Sequence, residues 1–215
     1  MIIKPLTKNA PAPRGFWGRL MIRKMNIGHA QMTAWALGLL DLETAHTVAD
    51  IGCGGGKAVK RLASLAPEAT VYGVDRSPLC VKQAARENRR GVAAGRVQIV
   101  EGSAGALPFP DVSVDVATAV ETVYFWQDRQ QAFRDVCRVL RPGGLFAVIC
   151  DMVDDGDGAT HYEAVTHMLE MYIPAPQALE RELLEAGFTQ VVLHRHPRQK
   201  WLCAVAGKRR GEDPV

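Results

Sequence analysis

No apolar run in this 215-residue chain approaches the roughly 20 residues that a bilayer-spanning helix needs, so the sequence predicts no membrane span. A secretory-type apolar core is missing too. The five cysteines, Cys53, Cys80, Cys137, Cys150 and Cys203, form no C-x-x-C pair and are odd in number, which points to reduced thiols in a cytoplasmic protein. The acids at positions 151–157 lack the register of a calcium loop, and His161, His167, His194 and His196 are not spaced as a ligand set. No metal is expected, and the acidic run reads as a solvated loop. With no long linker, low-complexity tract or repeat, and 47% hydrophobic against 23% charged residues, the chain reads as one soluble globular unit.

Acid is absent from the first forty positions, where Lys4, Lys8, Arg14, Arg19, Arg23 and Lys24 stand, although the whole chain carries only +3. Such a segment suits an anionic surface or RNA, or a transit peptide. It continues unbroken into an expected helix over residues 30–40, however, and Pro5, Pro11 and Pro13 make its start extended. Residues 1–44 are therefore read as a basic arm with lid helices, covering a substrate rather than tethering nucleic acid. Residues 45–207 form the catalytic domain and 208–215 a free basic tail.

What is present in strength is the run VADIGCGGGKAVKRLA, residues 48–63. Val48, Ala49 and Ile51 end a buried strand, while Ala58, Val59, Leu62, Ala63 and Ala66 recur at helical spacing. Gly52, Gly54, Gly55 and Gly56 remove Cβ atoms where the chain turns, so a ligand can approach backbone N–H groups at a helix start. A dinucleotide fingerprint needs G-x-G-x-x-G, but the sixth position from Gly52 is Lys57. A second strand, residues 70–74, leads into Asp75, 23 residues beyond Gly52, where a carboxylate can accept hydrogen bonds from vicinal ribose hydroxyls.

Strands and helices then alternate. Ser77-Pro78 opens a helix running to about Arg90 and stopping near Gly91. Strands are expected over residues 96–100 and 114–120, and a helix over 127–140 that Arg141-Pro142-Gly143-Gly144 stops. A strand over 145–150 follows, then a helix marked by Tyr162, Val165, Met168, Leu169 and Tyr172, then another over 176–186. Two consecutive strands, 190–196 and 201–206, imply an antiparallel hairpin. The expected fold is α/β: a Rossmann-like, seven-stranded, mostly parallel sheet with helices on both faces and a C-terminal antiparallel hairpin.

The D-I-G-C-G-G-G turn resembles motif I of the class I S-adenosylmethionine-dependent methyltransferases. The terminal hairpin, the EGSAGALPFPD stretch at 101–111 and the RPGG turn at 141–144 are similar to features of that family. The resemblance implies S-adenosylmethionine as methyl donor and S-adenosylhomocysteine as product, held by Asp50, Gly52, Cys53, Gly54, Gly56, Asp75, Arg76, Ser103, Ala104 and Glu121. Ser103 stands where the family usually has an acid for the adenine amino group, so Ala104 N–H or a neighbour would supply that contact. Past the strand over 114–120 comes ETVYFW, which is not the N/D-P-P-Y/F pattern of amino-group methylation, and no Pro-Cys pair suggests a cytosine C5 enzyme. Glu121 is expected to touch the methionine end of the donor or to orient a substrate, with Tyr124, Phe125 and Trp126 as an aromatic wall. In the turn Asn26-Ile27-Gly28-His29, His29 is a candidate base of near-neutral pKa. The catalytic set is thus His29, Glu121 and Tyr124, acting on a small-molecule acceptor. The alternatives are an RNA or protein methyltransferase docking through the basic arm, and a non-catalytic S-adenosylmethionine-binding module. A nicotinamide oxidoreductase is disfavoured by the glycine register.

Overall fold

The computed structural model of the chain describes residues 29–156 and 171–211. The expected basic arm and most of the helix around Tyr162, Val165, Met168 and Leu169 lie outside the described residues. Seven strands, β1 (Thr47–Ile51), β2 (Thr70–Asp75), β3 (Val97–Glu101), β4 (Val114–Val120), β5 (Leu140–Cys150), β6 (Gln190–Arg195) and β7 (Leu202–Gly207), make one sheet in the order β3-β2-β1-β4-β5-β7-β6. The first five run parallel, and β7 is antiparallel to both β5 and β6. The chain moves outward from β1 through β3 and returns to β4 on the other side of β1. The carboxyl ends of β1 and β4 therefore diverge at the switch point where α/β sheets open a ligand crevice.

Helices cover both faces, so β1 is buried throughout its length except at Thr47, as a parallel strand packed on two sides requires. On one face α1 (Ala30–Leu37), α2 (Lys57–Leu65) and α3 (Pro78–Glu87) bring Met32, Leu37, Val59, Leu62 and Ala84 onto Val48 and Val71. Helix α1 is thus part of the same core as the sheet. On the other face α5 (Arg129–Val139) and α6 (Pro176–Glu185) supply Phe133, Val136, Leu179 and Leu183. There Phe146 lies between Phe133 and Phe188, with ring centroids at 6.1 and 5.8 Å. Each such fully buried side chain contributes about 1.5–3 kcal/mol of transfer free energy.

Several expected boundaries move, each for a local reason. The helix from Pro78 breaks at Asn88, whose Nδ2 donates to the Gly56 and Ala84 carbonyls; a short α4 (Arg89–Ala93) then runs through Gly91 instead of stopping there. A Cβ on Gly91 would come within 2.6 Å of Val97, so this glycine serves close packing. Helix α5 starts at Asp128, whose carboxylate caps the Gln131 N–H, and ends at Val139. Strand β5 begins at Leu140, because the Arg141–Gly144 insertion is absorbed as a bulge: Val114 pairs with Leu140 and Val116 already with Leu145. Helix α1 ends at Leu37, not residue 40, and Tyr172 is not helical. Lys208 is not part of a free tail, since its Nζ donates to the carbonyls of Cys137 and Leu140 at 2.7 Å each. Among the described residues, no helix is long and apolar enough to cross a membrane.

Candidate active site

A cavity of about 420 Å³ opens at the switch point. At one end lies the glycine turn. The N–H groups of Gly52 and Cys53 both donate to Val74 O, at 2.7 and 2.9 Å, which folds the turn onto the end of β2. Asp75 completes the clasp: its Oδ2 accepts from Gly54 N–H at 2.9 Å and its Oδ1 from Ser77 N–H at 2.8 Å. Two backbone donors and the Cys80 thiol thus hold the carboxylate, on a side chain that lines the cavity.

Gly52 and Gly54 both adopt left-handed backbone, with φ 77° and 51°. A Cβ on Gly52 would run into Thr122, whereas one on Gly54 would meet nothing within 4 Å and project into open space. Gly56 is also left-handed, but its missing Cβ makes room for Ala84 and Asn88, so it serves the contact of α2 with α3 and does not line the cavity. Asp50, 1% exposed, accepts a hydrogen bond from Thr118 Oγ1 at 2.7 Å; burial pushes its carboxyl up to about 7, the Thr118 bond opposes this, and the charge of Asp75 adds to it. Burial also raises Asp75, against the pull of the Ser77 and Gly54 amides. Cys53, Arg76, Ser103 and Ala104 all border the cavity, as expected from the sequence, together with Gly55, Lys57 and Arg61.

At the other end, Glu121 follows β4 with φ 55°, a strained conformation for a non-glycine residue. Its N–H is tied to Ile149 O at 2.9 Å. Its Oε1 accepts from Tyr124 Oη–H at 2.7 Å and from Asp151 N–H at 2.6 Å. The Tyr124 hydroxyl in turn accepts from the amides of Asp151 and Met152, at 3.1 and 3.2 Å. The aromatic wall is therefore corrected. A single 3₁₀ turn, Val123–Phe125, rotates Tyr124 inward, where it is 2% exposed, does not line the cavity and holds Glu121 in place. Phe125 and Trp126 do line it, with Trp126 edge-on to Phe133 at 5.7 Å.

His29 precedes α1, and Thr33 Oγ1 donates to its carbonyl at 2.8 Å. Its Nε2 faces Glu121 Oε2 at 3.7 Å and Asp151 Oδ2 at 3.8 Å. Desolvation lowers its pKa, with Asp151 pulling the other way, so the ring is neutral at pH 7. Burial, then the neighbouring Asp151, pushes Glu121 well above the usual carboxylate range, while the hydrogen bonds from Tyr124 and the Asp151 amide oppose the rise.

Asp151 is the site residue that sequence reasoning assigned to a solvated loop. The signal lay in strand register: β4 and β5 pair in parallel through Val120 and Ile149, so the residues just past their ends, Glu121 and Asp151, emerge side by side. Thr33 was also missed; it lines the cavity and holds the His29 carbonyl.

Residues 49–148 match the family model described as a methyltransferase domain. Over 121 residues the chain is 37% identical to 27-O-demethylrifamycin SV methyltransferase of Amycolatopsis mediterranei, covering 55% of this chain and 43% of that one. It is 32% identical over 143 residues to the O-methyltransferase rstn1 of Aspergillus nomiae, covering 66% and 63%. The chain thus spans about half the length of these relatives. Among solved structures, the apo form of the S-adenosylmethionine-dependent methyltransferase SibL superimposes with a TM-score of 0.75 at 19% identity, over 97% of this chain and 69% of that one.

Proposed function

The chain carries a class I S-adenosylmethionine-dependent methyltransferase domain, and we propose that it moves the donor's methyl group to a hydroxyl of a small-molecule acceptor. One observation carries the reading: a single cavity joins the Gly52–Gly54 turn and Asp75 to the His29, Glu121 and Trp126 end. The first end fits the donor. A Cβ-free wall at Gly54 leaves room for its chain, and the Asp75 carboxylate borders the cavity as the acceptor for ribose hydroxyls. Ser103 and Ala104 are the candidates for the adenine, and Asp50 for the methionine ammonium. When bound, S-adenosylmethionine supplies an electrophilic sulfonium methyl, so the protein needs chiefly to align a nucleophile with it and exclude water.

Alignment falls to the second end. Phe125 and Trp126 offer flat apolar surface to the acceptor, and Glu121, held by Tyr124, offers an acceptor oxygen. His29 presents a neutral nitrogen lone pair on the side where the hydroxyl proton has to leave. The cavity volume lies within the range of small-molecule sites, about 300–1,000 Å³. The O-methyltransferase relatives support an oxygen acceptor. Five free, buried thiols support a reducing, cytoplasmic setting.

Calorimetry with S-adenosylhomocysteine, followed by transfer of labelled methyl to a panel of phenols, alcohols and amines, tests the proposal. Saturable binding with label on a hydroxyl compound is the expected result. Absence of binding would refute the donor assignment, and label on amines alone would refute the acceptor class.

A further inference from the structure

Three potential ligand atoms converge at the acceptor end: His29 Nε2, Glu121 Oε2 and Asp151 Oδ2. The imidazole nitrogen stands 3.7 and 3.8 Å from the two oxygens, too far for hydrogen bonds, and all three atoms lie within 4.8 Å of one another. A point equidistant from atoms so spaced is about 2.0–2.4 Å from each, which is the length of a bond from nitrogen or oxygen to a divalent metal.

The surroundings are arranged for ligation. Glu121 has a side chain only 5% exposed; its Oε1 is occupied by Tyr124 and the Asp151 amide, its Oε2 faces His29, and its carboxyl hydrogen-bonds that of Asp151. Such outer partners orient a metal ligand. Asp151 Oδ1 is buried with no hydrogen-bond partner among the described residues, on the carboxylate whose Oδ2 faces His29. Two carboxyls held together against a low-dielectric wall share a proton or hold a cation. His29 turns Nε2 toward both carboxyls, a ring nitrogen through which histidine ligates a metal.

We propose that His29, Glu121 and Asp151 bind one first-row divalent metal ion, with its remaining coordination positions open to the cavity. One nitrogen and two carboxylate oxygens suit Mn²⁺, Fe²⁺ or Zn²⁺ better than an all-oxygen ion such as Ca²⁺. The role of the metal rests on the methyl-transfer reading above but replaces His29 as the base, since its lone pair is then on the metal: an acceptor hydroxyl reaching an open position releases its proton to solvent more readily. Its oxygen then attacks the sulfonium methyl, and the electron pair of the broken C–S bond stays on sulfur.

The test uses the full chain stripped with a chelator and titrated with Mn²⁺ alone, the free ion being read by its electron paramagnetic resonance signal. One saturable site per chain, with a dissociation constant below about 100 μM, is expected, as is at least about a tenfold loss of affinity in Asp151→Asn and in Glu121→Gln. Asp151 is half-exposed, so its variant serves if Glu121→Gln fails to fold. No saturation below millimolar Mn²⁺, or saturation that Asp151→Asn leaves unchanged, overturns the proposal. S-adenosylhomocysteine calorimetry on the same stripped protein separates the two ideas. Donor binding without Mn²⁺ binding removes the metal and leaves methyl transfer through His29 as a plain base, whereas Mn²⁺ binding without donor binding removes the methyl-transfer reading and leaves the metal site.

Discussion

Replacing Asp75 with alanine tests the donor end most directly, because the carboxylate has two separable jobs. Under the proposed function it accepts from the two ribose hydroxyls of the donor on its cavity side. A hydrogen bond to a charged group is worth about 1.5–3 kcal/mol, so loss of two at the lower figure weakens donor affinity about a hundredfold, and loss of one about tenfold. Toward the protein it accepts from Gly54 and Ser77 N–H, and stranding those two amides costs about 1–3 kcal/mol each in stability. Asp75→Ala should therefore lower both the melting temperature and the affinity for S-adenosylhomocysteine. Asp75→Asn keeps the shape, but sets its amide against one of the two backbone donors and removes the charge. Calorimetry well below each variant's melting temperature separates binding from folding. Because burial raises the Asp75 pKa and ribose hydroxyls donate to its charged form, wild-type affinity should also fall as pH drops through that titration, and Asp75→Asn should lose the dependence. Folded Asp75→Ala and Asp75→Asn proteins that both bind within twofold of wild type would refute the ribose assignment.

Trp126→Ala should raise the acceptor's KM or reduce kcat with donor affinity kept, whereas Tyr124→Ala, which empties a buried site, should cost about 3–5 kcal/mol of stability; the reverse pattern in kinetics and melting would overturn the corrected placement. Asp50, pushed up to about 7, keeps a proton in the folded chain that the unfolded chain releases at lower pH, so its contribution to stability falls as pH rises from about 4 to about 7. Asp50→Asn should flatten the melting temperature over that interval relative to wild type, and parallel curves would show that Asp50 does not titrate there. NAD and NADP should give no binding heat, because Lys57 occupies the position where the dinucleotide turn needs its third glycine; tight nicotinamide binding in the same calorimeter would overturn the donor choice. RNA should bind only weakly and with a steep salt dependence, and sub-micromolar, sequence-selective binding at physiological salt would favour a polymer substrate.

The glycine-turn end of the cavity was legible in the sequence because it is local. The turn from Gly52 to Gly56 and the run into Asp75 are set by backbone conformations that only short stretches of chain decide, and the structure places Asp50, Gly52, Cys53, Gly54 and Asp75 around one cavity. The mostly parallel sheet with its terminal hairpin was legible for a related reason, since alternation of apolar strands with amphipathic helices leaves few ways to bury both. Errors of boundary arose where a distant residue overruled a local signal. Asn88 reached across to Gly56 and broke a helix, and pairing of Val114 with Leu140 drew a proline-glycine stretch into β5.

The acceptor end depends on contacts between residues far apart in sequence, and there the pattern of residue types was least informative. Tyr124 looked like one member of an aromatic wall, yet the geometry of one 3₁₀ turn sends its ring inward and its hydroxyl to Glu121. Asp151 looked like the first acid of a solvated run, yet parallel register sets it beside Glu121. His29 was identified by residue type, but its partners come from the ends of β4 and β5, 92 and 122 positions further along the chain. Two carboxyls and an imidazole meeting at the carboxyl ends of neighbouring strands cannot be inferred from spacing. They follow only from which strand ends are neighbours, and that is why the chemistry at this end becomes arguable with the fold in view.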